Sequence, residues 1–187
     1  KEKLSELQKK VKKNVKFRLD INGTLDLARA IRLCKELEKY NIEYIEQPLP
    51  INELEDLAEL RLHTNIPIAL DESIIDIKSA EKIIETQSAD IFVIKPMIIG
   101  SIKECLEIIK LGKENNIESV ITTSLGTEIE RKACIHIAFA GGIKLPCGFS
   151  TNSLLKSNVI YKPIEKIIIN KPTHFGLNVV PETIPFQ

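Results

Sequence analysis

Little in this sequence marks it for a macromolecular partner or an oxidising compartment. Lys+Arg and Asp+Glu are equal at 26 each, so no excess of one sign draws the chain to nucleic acid or to an anionic membrane. No apolar run approaches the roughly 20 residues of a membrane span. The opening residues carry no secretory signal, and the expectation is a cytoplasmic protein. The four cysteines, Cys34, Cys105, Cys134 and Cys147, form no C-x-x-C pair, so reduced and mostly buried thiols are expected instead of disulfides or zinc. His63, His136 and His174 are scattered without metal-ligand spacing and read as structural or exposed. No G-x-G-x-x-G or Walker-type loop follows an apolar run, which weakens the nucleotide-binding readings. The remainder, 43% apolar and 28% charged over 187 residues, is ordinary for a globular protein with a sizeable core.

Against that background four acid-or-base residues stand out, each closing a short apolar run. They are Asp20 in VKFRLDIN, Glu46 in IEYIEQP, Asp71 in IPIALDES and Lys95 in IFVIKP, at intervals of 26, 25 and 24 residues. That is about the length of one strand, one helix and two loops. Parallel strands joined by helices point the same way, so the four would gather at one end of one sheet.

The surrounding pattern agrees. Strands are expected at 15–21, 42–47, 66–70, 91–94 and 120–123, with a short, weak sixth at 144–147. Helices are expected at 25–40, 53–63, 76–87, from after Gly100 to about 114, and from after Thr127 to about 140, with Thr24 and Asp76 as caps. On the first strand Phe17, Leu19 and Ile21 share one face, and Arg18, Asp20 and Asn22 the other. A buried face carrying Arg, Asp and Asn is costly unless the groups pair or hold an ion. Leu4, Leu7 and Val11 mark an opening helix within 1–13, which belongs to an incomplete preceding unit. Residues 156–187 are Pro-punctuated and read as an irregular wrap. Alternating strands and helices give a parallel α/β fold, either an open sheet or a (β/α)8 barrel. Chemistry at the carboxyl end of successive strands favours the barrel. About six strand–helix units, one partial barrel domain over 1–187, would leave two strands to come from upstream.

Asp20, Glu46 and Asp71 offer only hard oxygen ligands, which selects magnesium or manganese over zinc. Without a cation the three would raise one another's pKa. A lysine beside them can move a proton next to a carboxylate while the metal stabilises the resulting charge. The bland alternative is that each acid caps a helix or bonds a loop, but four such residues in register on consecutive units are hard to assign to chance.

At these residues the chain resembles the enolase superfamily, in the branch of muconate-lactonising enzymes and o-succinylbenzoate synthases. RLDINGT, IEYIEQPLP, IPIALDES and IKPMIIGS carry the likeness, with weaker matches at ITTSLGTEI and GFST. The resemblance implies Mg2+ (or Mn2+) on Asp20, Glu46 and Asp71, with Lys95 as one of two active-site lysines. Arg18 and Asn22 would support ligands and substrate, Glu72 would orient the lysine or a ligand, and Thr123, Ser124 and Gly148 would line the substrate. It also implies an upstream Lys-x-Lys strand and an N-terminal capping domain, neither of which lies in this sequence. Lys95-Pro96 followed by Gly100, with no acid in CGFST, favours a synthase over a dipeptide epimerase. Ser124-Leu125-Gly126-Thr127 departs from the branch's usual Ser-x-Leu-Glu-Ser. The reading is therefore dehydration of 2-succinyl-6-hydroxy-2,4-cyclohexadiene-1-carboxylate to o-succinylbenzoate in quinone synthesis. Epimerisation of dipeptides or racemisation of N-acylamino acids is the alternative, and a non-catalytic barrel fragment is the third. The partner is a small carboxylate, with no nucleic acid or membrane, and self-association stays open.

Overall fold

A computed structural model describes residues 2–149. The chain runs α1 (Glu2–Lys10), β1 (Phe17–Asp20), α2 (Leu27–Leu37), β2 (Ile42–Glu46), α3 (Leu54–Leu62) and β3 (Ile68–Leu70). It continues through α4 (Ile77–Thr86), β4 (Ile91–Ile94), α5 (Pro96–Ile99), α6 (Ile102–Glu114), β5 (Glu118–Ile121) and α7 (Glu128–Ala140). The five strands pair in sequence order, all parallel, as a half-barrel. The expected wrap at 156–187 and His174 fall outside the described residues.

Side-chain alternation splits the apolar residues into two cores. Ile45, Ile68, Leu70, Phe92, Ile94 and Ile121 turn outward to meet Cys34, Leu57, Ile83, Cys105, Ile108 and Cys134 from the helices. Tyr44, Ala69, Ile91, Val93 and Val120 turn inward, with Leu145 against them. Each fully buried Leu or Ile contributes about 1.5–3 kcal/mol relative to exposure, so the outer core is the main source of stability. The cysteines are all free, and Cys34, Cys105 and Cys134 are buried as expected. No helix among the described residues is long and apolar enough to cross a membrane.

Helix starts follow local chemistry. Asp76 accepts the Ser79 N–H at 2.7 Å and the Ser79 hydroxyl bonds back, a complete capping box. Ser101 caps α6 through the Glu104 N–H. The cap of α2 is Asp26, bonded to the Arg29 N–H at 2.8 Å, and not Thr24. Thr24 donates instead to the Ile21 carbonyl, because Gly23 at φ +65° turns the chain before the helix can start. The one-turn helix α5 was not anticipated; Pro96 opens it and Gly100 closes it at φ +76°.

The expected sixth strand at 144–147 does not form. Pairing with β5 shrinks to a single bridge between Thr122 and Gly148. Pro146 has no N–H to give a ladder, and the backbone pairing is confined to Gly148, whose N–H reaches the Ile121 carbonyl at 3.0 Å and whose carbonyl accepts the Thr123 N–H at 3.0 Å.

Candidate active site

The inward positions of the strands continue one step past the inner core. Beyond Arg18, Tyr44, Ala69 and Val93, the next residues of the same parity are Asp20, Glu46, Asp71 and Lys95. The parallel ladder therefore sets the three carboxylates and the lysine side by side on one rim. The even spacing in sequence becomes proximity in space.

Asp71 is 4% exposed and forms an ion pair with Lys95 Nζ. Burial pushes the Asp71 carboxyl up, against the pull of Lys95. Burial would draw the Lys95 ammonium down, but Asp71, with Glu72 and Glu46 behind it, outweighs this and holds it above the usual lysine value. Glu46 is pushed up to about 8, first by burial and then by Asp71 and Asp20. Four groups of this kind on one rim are electrostatically incomplete.

Asp20 is exposed and fixed by Asn22, which donates its backbone N–H to Oδ1 and its side-chain amide to Oδ2, both at 3.0 Å. The Asn22 amide also reaches Glu72 Oε1 at 3.2 Å, tying the end of β1 to the turn after β3. Among the described residues no three acids, histidines or cysteines are drawn into a metal-holding cluster as they stand. Lys95 engages one oxygen of Asp71, and the acids repel one another. The donor set nonetheless fits a hard divalent cation: oxygen only, three carboxylates and no competing thiolate or imidazole.

Other sequence candidates have different duties. Arg18 stacks 4.7 Å over the Tyr44 ring, donates from Nε to Glu43 at 2.6 Å and from Nη1 to the Pro146 carbonyl at 2.6 Å. It braces the layer beneath the carboxylates. Glu43 can reach it because the register slips between Phe17 and Arg18, leaving Glu43 as an extra residue in β2. Thr123, at 4% exposure, is laced to Gly148 through its backbone and its hydroxyl. The Ser124 N–H goes to Glu130.

Sequence reasoning missed Gln47. Fully buried at φ +36°, it accepts the Asp71 and Ser73 N–H groups on Oε1, each at 3.2 Å. Its amide donates to the Leu49 carbonyl and Ser73 Oγ, each at 2.9 Å. It thus fastens the rim of β2 to that of β3. The signal was available: a polar residue between Glu46 and Pro48, next to a presumed ligand, needs partners if buried.

With this geometry in place, the comparison with known proteins is direct. The family model described as enolase C-terminal domain-like matches residues 2–166. The chain belongs to that family.

It is 29% identical over 150 residues to o-succinylbenzoate synthase of Thermobifida fusca, covering 80% of this chain and 46% of that protein. It is also 29% identical over 182 residues to L-amino acid-D/L-Glu epimerase of Francisella philomiragia, covering 94% of this chain and 51% of that one. Dipeptide epimerase of Enterococcus faecalis, solved with Mg and the dipeptide L-Leu-L-Tyr, superposes with a TM-score of 0.75 at 28% identity. That match covers 79% of this chain and 42% of the epimerase. The chain spans about half the length of the relatives it matches. The relatives it matches are enzymes, and similarity at this level does not separate synthase from epimerase.

Proposed function

We propose that the whole protein dehydrates 2-succinyl-6-hydroxy-2,4-cyclohexadiene-1-carboxylate to o-succinylbenzoate, with residues 1–187 forming the later part of its barrel. The observation that carries the reading is the shared rim: three carboxylates and Lys95 closing four consecutive parallel strands. Asp20, Glu46 and Asp71 would hold magnesium. When bound, the ion supplies positive charge against a substrate carboxylate as that group gains electron density.

The chain's own residues do the rest. Lys95 keeps its positive charge and steadies the negative charge that forms when the proton beside the carboxylate leaves. The proton itself would pass to the second lysine expected on an upstream Lys-x-Lys strand, which would hand it to the departing ring hydroxyl so that water leaves. Gln47 keeps the Asp71 backbone in place, and Asn22 holds both oxygens of Asp20. Proline after Lys95 and the absence of an acid in CGFST favour this reaction over epimerisation.

A second reading has support of its own, because an epimerase matches as well as a synthase does. There Lys95 and the upstream lysine would act as opposed bases on a dipeptide or an N-acylamino acid. Assaying the full-length protein with Mg2+ on the cyclohexadiene carboxylate, a dipeptide series and N-succinylamino acids tests both. Turnover of the first substrate at the highest kcat/KM is expected. Proton exchange confined to the amino-acid substrates would overturn the synthase reading.

A further inference from the structure

Helix α7 opens with Thr127-Glu128-Ile129-Glu130, the T-x-x-E spelling of a capping box, in which the glutamate accepts the N–H of the N-cap residue. Glu130 goes elsewhere. Its Oε1 accepts the backbone N–H of Ser124 at 2.6 Å, three residues ahead of Thr127, and Thr127 itself makes no side-chain cap bond. Glu130 is 5% exposed, and its Oε2 lies buried without a hydrogen-bond partner, as does Ser124 Oγ. The reach to Ser124 depends on Gly126. A Cβ at that position would stand 1.9 Å from Oε2 and 2.7 Å from the carboxyl carbon. Arg131, the next residue along, is paired with Glu128.

A buried carboxylate with one satisfied oxygen is costly, and an ordinary cap lay within its reach. What the diversion secures is the segment that leaves β5. That segment lies beside the strand ending in Lys95, since Thr122 N–H bonds the Ile94 carbonyl at 3.1 Å. We propose that Glu130 is a positioning residue for the reaction, clamping Ser124 through the gap left by Gly126 and so setting how the substrate is held next to Lys95. Its action runs through Ser124, so it governs substrate binding more than proton transfer. Gly126 and Glu130 form one unit: the missing side chain makes room for the distant carboxylate.

This inference rests on the acid/base reading of the rim, and its test separates the two. In the full-length protein with Mg2+, Glu130→Ala is expected to raise KM about tenfold and leave kcat within about threefold, the split that marks lost binding. Glu130→Gln, which still offers an oxygen to Ser124 N–H, should stay within about threefold in both. Gly126→Ala should match Glu130→Ala, and the double variant should be no worse than either alone, the non-additivity of a shared contact. Amide hydrogen exchange at Ser124 should quicken about tenfold or more in Glu130→Ala. If Glu130→Ala fails to fold, Glu130→Asp, which withdraws the carboxylate by one methylene, carries the same measurements. An unchanged KM with unchanged Ser124 exchange, or fully additive Gly126 and Glu130 effects, overturns the clamp. A wild-type protein that neither binds Mg2+ nor turns over any of the substrates overturns the rim reading instead, and exchange at Ser124 still decides the clamp.

Discussion

The rim at the ends of β1–β4 and the rim at the end of β5 are built differently. On the first, charged groups meet one another directly, Lys95 on Asp71 and Glu46 against Asp71, and the Asn22 amide ties Asp20 to Glu72. On the second, backbone groups are laced to side chains, the Gly148 carbonyl to the Thr123 hydroxyl and the Ser124 N–H to the Glu130 carboxylate. On the proposed reading, a charged cluster of hard ligands would serve chemistry that many substrates share. The laced edge would serve the shape of one substrate. Relatives with different reactions match the chain equally well, as this division would produce.

The sharpest way to break the comparison is to remove the central charge of the first rim. Lys95→Ala in the full-length protein should lower turnover by about a hundredfold or more, the range for acid/base and electrostatic groups. Lys95→Arg should not restore it, because a guanidinium differs in shape and has no ammonium to place. Steady-state kinetics at saturating Mg2+ reads both. Near-normal turnover in either variant would take Lys95 out of the mechanism.

Gln47 tests whether the first rim needs its uncharged support. Gln47→Ala removes the acceptor shared by Asp71 and Ser73, and the loss should cost about 1–3 kcal/mol of stability. As a support for a presumed ligand it should also weaken Mg2+ binding about 10–100-fold. Urea unfolding and calorimetric Mg2+ titration measure the two. A variant that loses stability yet binds Mg2+ normally would make Gln47 a purely structural residue.

How much of this was legible beforehand follows from what each feature depends on. The strands, their order and the rim placement of Asp20, Glu46, Asp71 and Lys95 rest on alternation and repeat length, which are local. The cap at Asp76 was equally local and is present. The cap assigned to Thr24 missed because Gly23 delays the helix by a few residues. The sixth strand failed because one proline outweighs a short apolar run. Gln47 left one cue, a polar residue that needs partners if buried, but the roles of Gln47, Glu43 and Glu130 were not written in the periodicity. Their roles depend on a φ of +36°, a register slip and a side chain missing at Gly126, none of which leaves a periodic trace.

Proton balance distinguishes the rims next. Glu46 sits at about 8 in the fold against an ordinary 4.5, so the folded state holds a proton that the unfolded chain releases. Its stabilising share is complete below 4.5 and is lost as pH rises through 8. Asp71 is shifted in the same direction and adds to the trend, whereas Lys95 titrates above the window. Without Mg2+ the protein should therefore lose stability from about pH 5 to about pH 8, and saturating Mg2+ should flatten the slope. Urea midpoints along that series decide it. A metal-free stability that rises with pH would contradict the crowding of these acids.

The smallest effect belongs to Thr123. Its hydroxyl donates to the Gly148 carbonyl at 3.3 Å, and its backbone N–H reaches the same oxygen at 3.0 Å. Thr123→Val keeps the branched shape and the backbone bond and removes the hydroxyl that makes the longer contact to Gly148. The carbonyl retains a donor, so no buried acceptor is stranded, and the cost should be about 0.5–1.5 kcal/mol. Mg2+ affinity should not move, because Thr123 belongs to the laced rim, while KM should rise by no more than about threefold. A large fall in Mg2+ affinity would show that the two rims are one mechanical unit after all. A fall in kcat without a change in KM would place Thr123 among the groups that act on the reacting atoms, and the division between shared chemistry and substrate shape would then fail at β5.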